Sequence, residues 1–158
     1  MNTKVIWLTG LSGVGKSTLA KRLYIKLKKK SKIKIIDGDD FRKKTQNIKK
    51  FDKKNIIINN LKIIKYVKKF LKKYQFIIVS AISPILKTRK IAKKNFGSNY
   101  FEIYLYCKIQ TLEKRDTKGL YYKAKKKIIK NLIGYNSDIK YEKSDYKKIS
   151  INTDKYNI

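Results

Sequence analysis

The chain has 158 residues, which is enough for one domain with a substantial core. Its formal net charge at pH 7 is +31, because 42 Lys and Arg residues face only 11 Asp and Glu residues. The apolar runs are far shorter than the about 20 residues of a membrane span, and the N-terminus lacks the pattern of a signal peptide. The single cysteine, Cys107, cannot form an internal disulfide. We therefore expect one cytoplasmic domain (residues 1–158) without a membrane partner.

The large positive charge has two interpretations. It favours nucleic-acid binding, or it reflects the heavy use of Lys, Ile, Asn and Tyr that is typical of an AT-rich genome. The lysines are spread along the whole chain, and no nucleic-acid-binding motif accompanies them. We favour compositional bias, with attraction of anionic nucleotides as a side effect, and expect no specific nucleic-acid partner.

Arginine is rare in this lysine-rich chain. It occurs only at Arg22, Arg42, Arg89 and Arg115. An arginine that persists against such a bias indicates a need for planar, two-pronged recognition of phosphate or carboxylate, which lysine cannot supply.

The first predicted strand, loop and helix form a phosphate-binding unit. Val5–Thr9 is a short apolar run, and Ser17–Lys30 has apolar residues at helical spacing. Between them the chain fits the P-loop pattern G-x-x-x-x-G-K-[ST] without a mismatch. Backbone amides of such a loop surround phosphate oxygens, the lysine reaches the β- and γ-phosphates of ATP, and the hydroxyl holds Mg²⁺. The expected nucleotide-binding residues are Gly10, Ser12, Gly13, Gly15, Lys16, Ser17 and Thr18.

An acidic cluster follows the second predicted strand. Ile33–Ile36 is apolar and ends at Asp37-Gly38-Asp39-Asp40. Because ligands lie beyond the carboxyl ends of strands in open α/β sheets, the cluster is a candidate for Mg²⁺ binding or proton transfer. An ordinary turn that caps a helix is an equally good interpretation. Phe41–Lys54 is polar and predicted to be irregular.

The remaining elements alternate between helix and strand. Asn55–Lys73 is predicted as a helix whose apolar residues, Leu61 among them, face the core. The later predictions are a central strand at Phe76–Ser80, a basic helix at Lys87–Asn95, a strand at Phe101–Tyr106, a helix at Gln110–Arg115, a mobile lid over Asp116–Lys130 and a last strand at Ile149–Thr153. This alternation predicts an α/β fold with a parallel sheet of about five strands and helices on both faces.

Several stretches in this order resemble the adenylylsulfate kinase family, which uses ATP to phosphorylate the 3′-hydroxyl of adenosine 5′-phosphosulfate. The matching residues are Gly10–Thr18, Asp37-Gly38-Asp39, Arg42, Phe51, Asn59, Ile82-Ser83-Pro84, Arg89, Arg115–Tyr121, Ala124, Lys130-Asn131, Gly134 and Tyr141-Glu142. The resemblance covers nearly the whole chain. It implies a P-loop fold like that of the nucleoside-monophosphate kinases, ATP and Mg²⁺ as cofactors, and a role in sulfate assimilation.

The resemblance also implies roles for individual residues. Asp39 would act near the acceptor hydroxyl, as a base or together with Ser17 in the Mg²⁺ shell. Arg115 and Lys118 would belong to a lid at about 115–134 and, with Lys16, act in catalysis. The implied acceptor-binding residues are Asp39, Arg42, Phe51, Asn59, Ile82, Ser83, Lys118, Gly119 and Leu120.

Four positions depart from the family pattern. Ile56 stands where an acceptor-binding arginine is usual, Leu132 replaces an aromatic residue of the lid, and Ile85-Leu86 replaces an aromatic-arginine pair. Drift in a biased genome and a changed acceptor both explain these losses. A relative in this family phosphorylates cytidine diphosphoramidate, whose pyrimidine needs less stacking surface. The acceptor therefore stays open between these two nucleotides.

The resemblance leaves two further questions open. Family members usually continue with a helix after the strand that matches Ile149–Thr153, and a partner subunit is one way to cover the sheet face without it, so a homodimer stays open. A basic nucleotide- or nucleic-acid-binding protein without catalysis is a remote alternative. The presence of Lys16, Ser17, Asp39 and Arg115 speaks against it.

Overall fold

A five-stranded parallel sheet forms the centre of the molecule. The computed structural model describes residues 2–44 and 52–156. The strands are β1 (Lys4–Thr9), β2 (Ile33–Asp37), β3 (Phe76–Ser80), β4 (Tyr100–Tyr106) and β5 (Ile149–Asn152), in the spatial order β2-β3-β1-β4-β5. The predicted α/β architecture with about five parallel strands is confirmed. No helix within the described residues is long and apolar enough to cross a membrane.

Helices cover both faces of the sheet. They are α1 (Lys16–Leu27), α2 (Gly38–Lys44), α3 (Lys53–Lys68), α4 (Leu86–Phe96), α5 (Ile109–Arg115) and α6 (Leu120–Lys125), and a single 3₁₀ turn spans Gly97–Asn99. One core cluster joins Trp7 and Val79 of the sheet to α3 and α4. A second joins Leu8 and Leu105 to α1, α5 and α6. Both faces are buried because the central strands carry consecutive apolar residues.

Because the strands are parallel, the loops that follow β1, β2 and β3 lie together at the carboxyl ends of the strands. From β1 the chain moves outward to β2, returns to β3, and then crosses over to β4 on the other side of β1. Leu8 near the end of β1 lies opposite both Ser80 and Ile103. At such a switch point the carboxyl ends of neighbouring strands open into a crevice, which is where ligands bind in folds of this kind.

The structure corrects three details of the sequence prediction. Gly38–Lys44 is a helix, not irregular, because Asp37 Oδ1 accepts a hydrogen bond from Asp39 N (2.9 Å) and caps its first turn. Helix α3 begins at Lys53, where Asp52 caps it through Asn55 N (2.8 Å), and ends at Lys68 instead of Lys73. Leu61 is 37% exposed and does not belong to the core.

A buried ion pair ties α4 to β4. The side chains of Arg89 and Glu102 are both fully buried, with Nε and Oε1 3.4 Å apart. The same guanidinium donates to the carbonyl of Ser83 (2.5 Å) and to that of Glu142. Glu102 also accepts hydrogen bonds from neighbouring tyrosine and serine hydroxyls. These several directed bonds from one planar group explain why arginine persists at this position in a lysine-rich chain.

Replacing Arg89 by lysine is expected to lower the free energy of unfolding by about 2 kcal/mol, because an ammonium group cannot satisfy all of these acceptors. Urea-induced unfolding measures the change. The matched control is Lys90→Met on the same helix, since the Lys90–Asp145 pair is exposed to solvent and contributes little to stability. Equal losses in the two variants would contradict a special role for the buried pair.

Candidate active site

The loop between β1 and α1 forms a phosphate cradle. Gly10 has φ +137°, and a Cβ there would lie 2.1 Å from the carbonyl oxygen of Leu105, so no other residue fits. Gly15, with φ +97°, precedes the first turn of α1, which has no side-chain cap. The first amides of the helix are therefore open to an anionic ligand, and the helix dipole favours negative charge there.

Lys16 lies at the base of this cradle and is 9% exposed. Its Nζ donates hydrogen bonds to the carbonyls of Gly10 (2.9 Å) and Leu11 (2.7 Å). Burial lowers the pKa of Lys16 to about 8, although the negative charges of Asp39 and Asp37 act in the opposite direction. A phosphate group in the cradle would stabilise the ammonium form and raise this pKa.

The affinity for ATP is expected to fall above about pH 8, the pKa of Lys16 in the free protein. Because bound phosphate raises that pKa, binding takes up a proton at higher pH, and the affinity drops by up to about tenfold per pH unit there. Below pH 8 the lysine is charged in both states, so its contribution to binding is constant. Calorimetric titration in buffers of different ionisation enthalpy measures affinity and proton uptake together.

The matched control is the Lys16→Met variant, whose residual ATP affinity should not depend on pH. A wild-type affinity that stays constant between about pH 8 and 9.5, without proton uptake, would contradict the assignment of this ionisation to Lys16.

Oxygen-bearing side chains gather next to Lys16. Ser17 Oγ donates to Asp37 Oδ2 (2.7 Å) and lies 3.2 Å from Ser80 Oγ. Asp39 lines the same cleft. Hydroxyl and carboxylate oxygens are the ligands that Mg²⁺ prefers, and Mg²⁺ usually binds through one or two protein groups together with water and phosphate oxygens. This oxygen set fits Mg²⁺. Among the described residues, no three His, Cys, Asp or Glu side chains are placed so that they could hold a metal ion by themselves.

The segment that was predicted to be a lid reaches the acidic cluster through an ion pair. Lys118 Nζ, in the segment between α5 and α6, donates to Asp39 Oδ2, and both side chains are about half-exposed. Burial alone would raise the pKa of Asp39, but the hydrogen bond and charge of Lys118, with the charges of Arg42 and Lys16, lower it below its usual value. Asp39 is therefore ionised at neutral pH.

Arg115 lines the cleft at the end of α5. Its guanidinium donates to the side-chain oxygen (3.0 Å) and to the carbonyl (2.6 Å) of Thr153, which follows β5. The start of the lid is thus tied to the edge of the sheet. Asp116 then accepts hydrogen bonds from the amides of Tyr121 (3.0 Å) and Tyr122 (2.8 Å) and fixes the first turn of α6.

Two cavities meet at Asp39. The larger, which we call the P-loop cleft, has a volume of about 290 Å³ and is lined by residues 12–18, Asp37, Asp39, Ser80–Ile82, Arg115, Thr117 and Lys118. The smaller, which we call the second cavity, has a volume of about 10 Å³ and is lined by Gly38, Asp39, Arg42, Ile56, Asn59, Asn60, Ala81–Pro84 and Ile133. A carboxylate that borders both cavities can act on groups held in either.

Most of the residues predicted from the sequence line one of these cavities. Ser12, Gly13, Gly15, Lys16, Ser17, Thr18, Arg115 and Lys118 line the P-loop cleft, Arg42, Asn59 and Ser83 line the second cavity, and Asp39 and Ile82 line both. Gly10, Gly119 and Leu120 line neither, and Phe51 lies outside the described residues. Asp37, which the sequence indicated only as a member of the acidic cluster, also lines the P-loop cleft, as do Ser80 and Thr117, which no sequence pattern had indicated. The position of Ser80 at the carboxyl end of a buried parallel strand was an available signal.

Two of the four positions that depart from the family pattern, Ile56 and Ile85, lie together. Ile56 and Ile85 pack with Ile133 in one buried group, each at most 4% exposed. Leu132 lies in the core around Leu8 and faces neither cavity. The wall of the second cavity at Ile56 and Ile133 is therefore apolar.

The glycine loop, the buried lysine and the hydroxyl-carboxylate pair at the carboxyl edge of a parallel sheet define a P-loop phosphotransferase. Residues 2–152 match the model of the adenylylsulphate kinase family. The chain belongs to this family, and it is a kinase that uses ATP and acts on a hydroxyl group.

Individual relatives agree with this assignment. The chain is 36% identical over 150 residues to the adenylyl-sulfate kinase of Clostridium acetobutylicum, covering 94% of this chain and 74% of that protein. It is 39% identical over 145 residues to the cytidine diphosphoramidate kinase of Campylobacter jejuni, covering 91% and 83%. The structure of the Mycobacterium tuberculosis APS kinase in complex with AMPPNP and APS superposes with a TM-score of 0.83 at 28% identity, covering 97% and 90%.

Proposed function

We propose that the protein transfers the γ-phosphoryl group of ATP to the 3′-hydroxyl of a nucleotide, with adenosine 5′-phosphosulfate as the default acceptor. The observation that carries the proposal is the position of Asp39 between the P-loop cleft and the second cavity. The second cavity, at about 10 Å³, holds no more than about one water molecule as it stands, so an acceptor would bind at its mouth and widen it. A donor in the P-loop cleft and an acceptor at that mouth would both contact the same carboxylate. The relatives that act on adenylyl sulfate support this acceptor.

In the proposed reaction the P-loop amides and Lys16 hold the phosphates of ATP. Mg²⁺, held by Ser17 and Asp39 with Asp37 beside them, would offset negative charge on the phosphates. Arriving phosphates would attract Lys118 away from Asp39, which frees the carboxylate to orient the acceptor hydroxyl and accept its proton. The acceptor hydroxyl oxygen forms a bond to the γ-phosphorus of ATP while the bond between the γ-phosphorus and the β,γ-bridging oxygen breaks. ADP then leaves with the bridging oxygen. Positioning and charge neutralisation are the main requirements of this chemistry.

Cytidine diphosphoramidate is the second candidate acceptor. Ile56, in the wall of the second cavity, stands where the family pattern has an arginine, so the acceptor loses a charged contact. Leu132 stands where the pattern has the second aromatic residue of the lid, so stacking surface is lost as well. A smaller base tolerates that loss better. The Campylobacter jejuni relative, which is named for this substrate, supports the candidate.

A coupled assay of ADP release with the two acceptors side by side tests the proposal. Turnover of adenosine 5′-phosphosulfate supports the default, and turnover of cytidine diphosphoramidate alone overturns the default while keeping the 3′-hydroxyl kinase reaction. Turnover of neither, by protein that still binds ATP, overturns the proposed function. Tight, sequence-tolerant binding of duplex DNA at physiological salt in that case would support the non-catalytic alternative.

The requirement for Mg²⁺ belongs to this proposal and is tested by repeating the assay with a chelator. The cytoplasmic location, the role in sulfate assimilation and the homodimer stay predictions.

A further inference from the structure

Ser83 occupies a strained turn between β3 and α4. Its φ of +45° lies in the left-handed region that residues other than glycine rarely adopt, and the residue is 2% exposed. It forms part of the wall of the second cavity, next to Ile82. A strained conformation persists only where the surroundings hold it in place, so the contacts of Ser83 determine the shape of this wall.

A chain of three buried hydrogen bonds holds the turn. Trp7 Nε1 donates to Ser83 Oγ (3.0 Å), Ser83 Oγ donates to Asn60 Oδ1 (2.6 Å), and Asn60 Nδ2 donates to the carbonyl of Ile56 (2.9 Å). Because an indole nitrogen can only donate, the direction of all three hydrogen bonds is fixed, from Trp7 through Ser83 and Asn60 to Ile56. Trp7 and Asn60 are at most 4% exposed, and hydrogen bonds in such surroundings are costly to break.

The hydrogen-bond chain connects the two halves of the site. Trp7 belongs to β1, the strand that leads directly into the P-loop, and it lines neither cavity. Asn60 belongs to α3 and follows Asn59, whose Oδ1 is buried without a hydrogen-bond partner in the part of the chain that the structure describes. Asn59 lines the second cavity. Ser83 therefore fixes the distance between β1, which leads into the P-loop, and α3, which carries Asn59.

We propose that Trp7 and Asn60 are positioning residues for the acceptor nucleotide. Through Ser83 they hold the left-handed turn and the Asn59 face of α3 at the spacing that the acceptor requires. The proposal rests on the proposed function, in which the second cavity binds the acceptor. It assigns to Trp7, the sole tryptophan of the chain, a role in acceptor affinity although its indole touches neither nucleotide.

The Trp7→Phe variant tests the proposal, because it keeps an aromatic ring and removes the N–H donor. With the acceptor that the wild-type protein phosphorylates, the KM for the acceptor is expected to rise about tenfold, while the KM for ATP changes less than about twofold. In a Ser83→Ala background the same change should have no further effect on the acceptor KM, since its partner is already gone.

Tyr100→Phe is the matched control. Tyr100 packs against Trp7 in the same core, with ring centroids 6.2 Å apart, but its hydroxyl donates to Glu102 outside the hydrogen-bond chain. The Tyr100→Phe variant should have a lower unfolding midpoint than the wild-type protein and the same KM for the acceptor. If Trp7→Phe does not fold, Asn60→Leu replaces it, because leucine has a similar size and brings no charge into the wall of the second cavity, but it can neither accept from Ser83 nor donate to Ile56.

The outcomes separate the two proposals. An unchanged acceptor KM in the folded variant, or equal rises in the KM values for ATP and acceptor, would overturn the positioning role and leave the proposed function intact. A wild-type protein that turns over neither acceptor would overturn the proposed function first.

Discussion

Replacing Lys16 by methionine is expected to lower kcat/KM by at least about 10³-fold without lowering the stability of the unliganded protein. The loss of activity follows from the position of Nζ within the P-loop, where it lies 2.9 Å from the carbonyl of Gly10 and can turn to the phosphates of a bound nucleotide. No other lysine of the P-loop cleft is buried to this extent, since Lys118 is about half-exposed. Methionine keeps the length of the side chain and removes its charge.

Lys16→Met is expected to lower activity but not stability. Burial lowers the pKa of Lys16 from 10.5 to about 8, so keeping the ammonium charged in the fold costs about 3 kcal/mol below pH 8. This cost disappears as pH rises from 8 towards 10.5, where the unfolded chain also loses the proton. Methionine avoids the cost, and the loss of the ammonium hydrogen bonds to the carbonyls of Gly10 and Leu11 offsets part of the gain. The unfolding midpoint at pH 7 should therefore be unchanged or higher.

Steady-state kinetics and thermal unfolding at pH 7 check both expectations. Lys21→Met is the matched control, because Lys21 lies on the same helix and is exposed. Its kcat/KM and its unfolding midpoint should both stay at the wild-type level. A clear loss of stability in Lys16→Met would show that the ammonium holds the loop together. Retention of activity would remove Lys16 from the phosphate site.

The features that could be predicted from the sequence are those that depend on neighbouring residues. The P-loop is contiguous, and its glycines, Lys16 and Ser17 are fixed by the turn between β1 and α1. The prediction of a strand at Phe76–Ser80 has the observed bounds. A short, uninterrupted apolar run is typical of a central strand that is buried on both faces of a parallel sheet. Helix α2 was missed because its start depends on a single capping contact from Asp37 to Asp39 N.

The features that escaped prediction depend on residues far apart in the chain. Lys118 and Asp39 are 79 positions apart, and their contact arises only because the fold brings the segment between α5 and α6 to the end of β2. Ile56 and Ile85 belong to different segments, so the sequence shows them as separate losses of family residues, and only the fold shows that they pack together with Ile133. Leu132 replaces an aromatic residue of the family pattern, and only the fold shows that its side chain packs in the core. The side a residue faces in a loop is set by packing and not by local pattern.

Replacing Asp39 by asparagine is expected to lower kcat by about 10² to 10⁴-fold with a smaller effect on the KM for ATP. Asp39 borders both cavities, and its carboxylate pairs with Lys118 of the lid. Asparagine keeps the size of the side chain and its hydrogen-bonding oxygen, but it cannot take the proton of the acceptor hydroxyl and attracts neither the lid lysine nor a divalent cation. Steady-state kinetics at saturating ATP measures the change.

Asp40→Asn is the matched control for this prediction, since Asp40 is the next residue, is exposed and lines neither cavity. Activity should stay within about twofold of wild type in this variant, because an exposed charge outside the site contributes little. The pH profile gives a second check. Because Lys118, Arg42 and Lys16 hold the pKa of Asp39 below its usual value, the wild-type rate should not decline through the usual pH range of a carboxyl group. Asp39 loses its assigned role if Asp39→Asn retains full turnover of an acceptor that the wild-type protein phosphorylates.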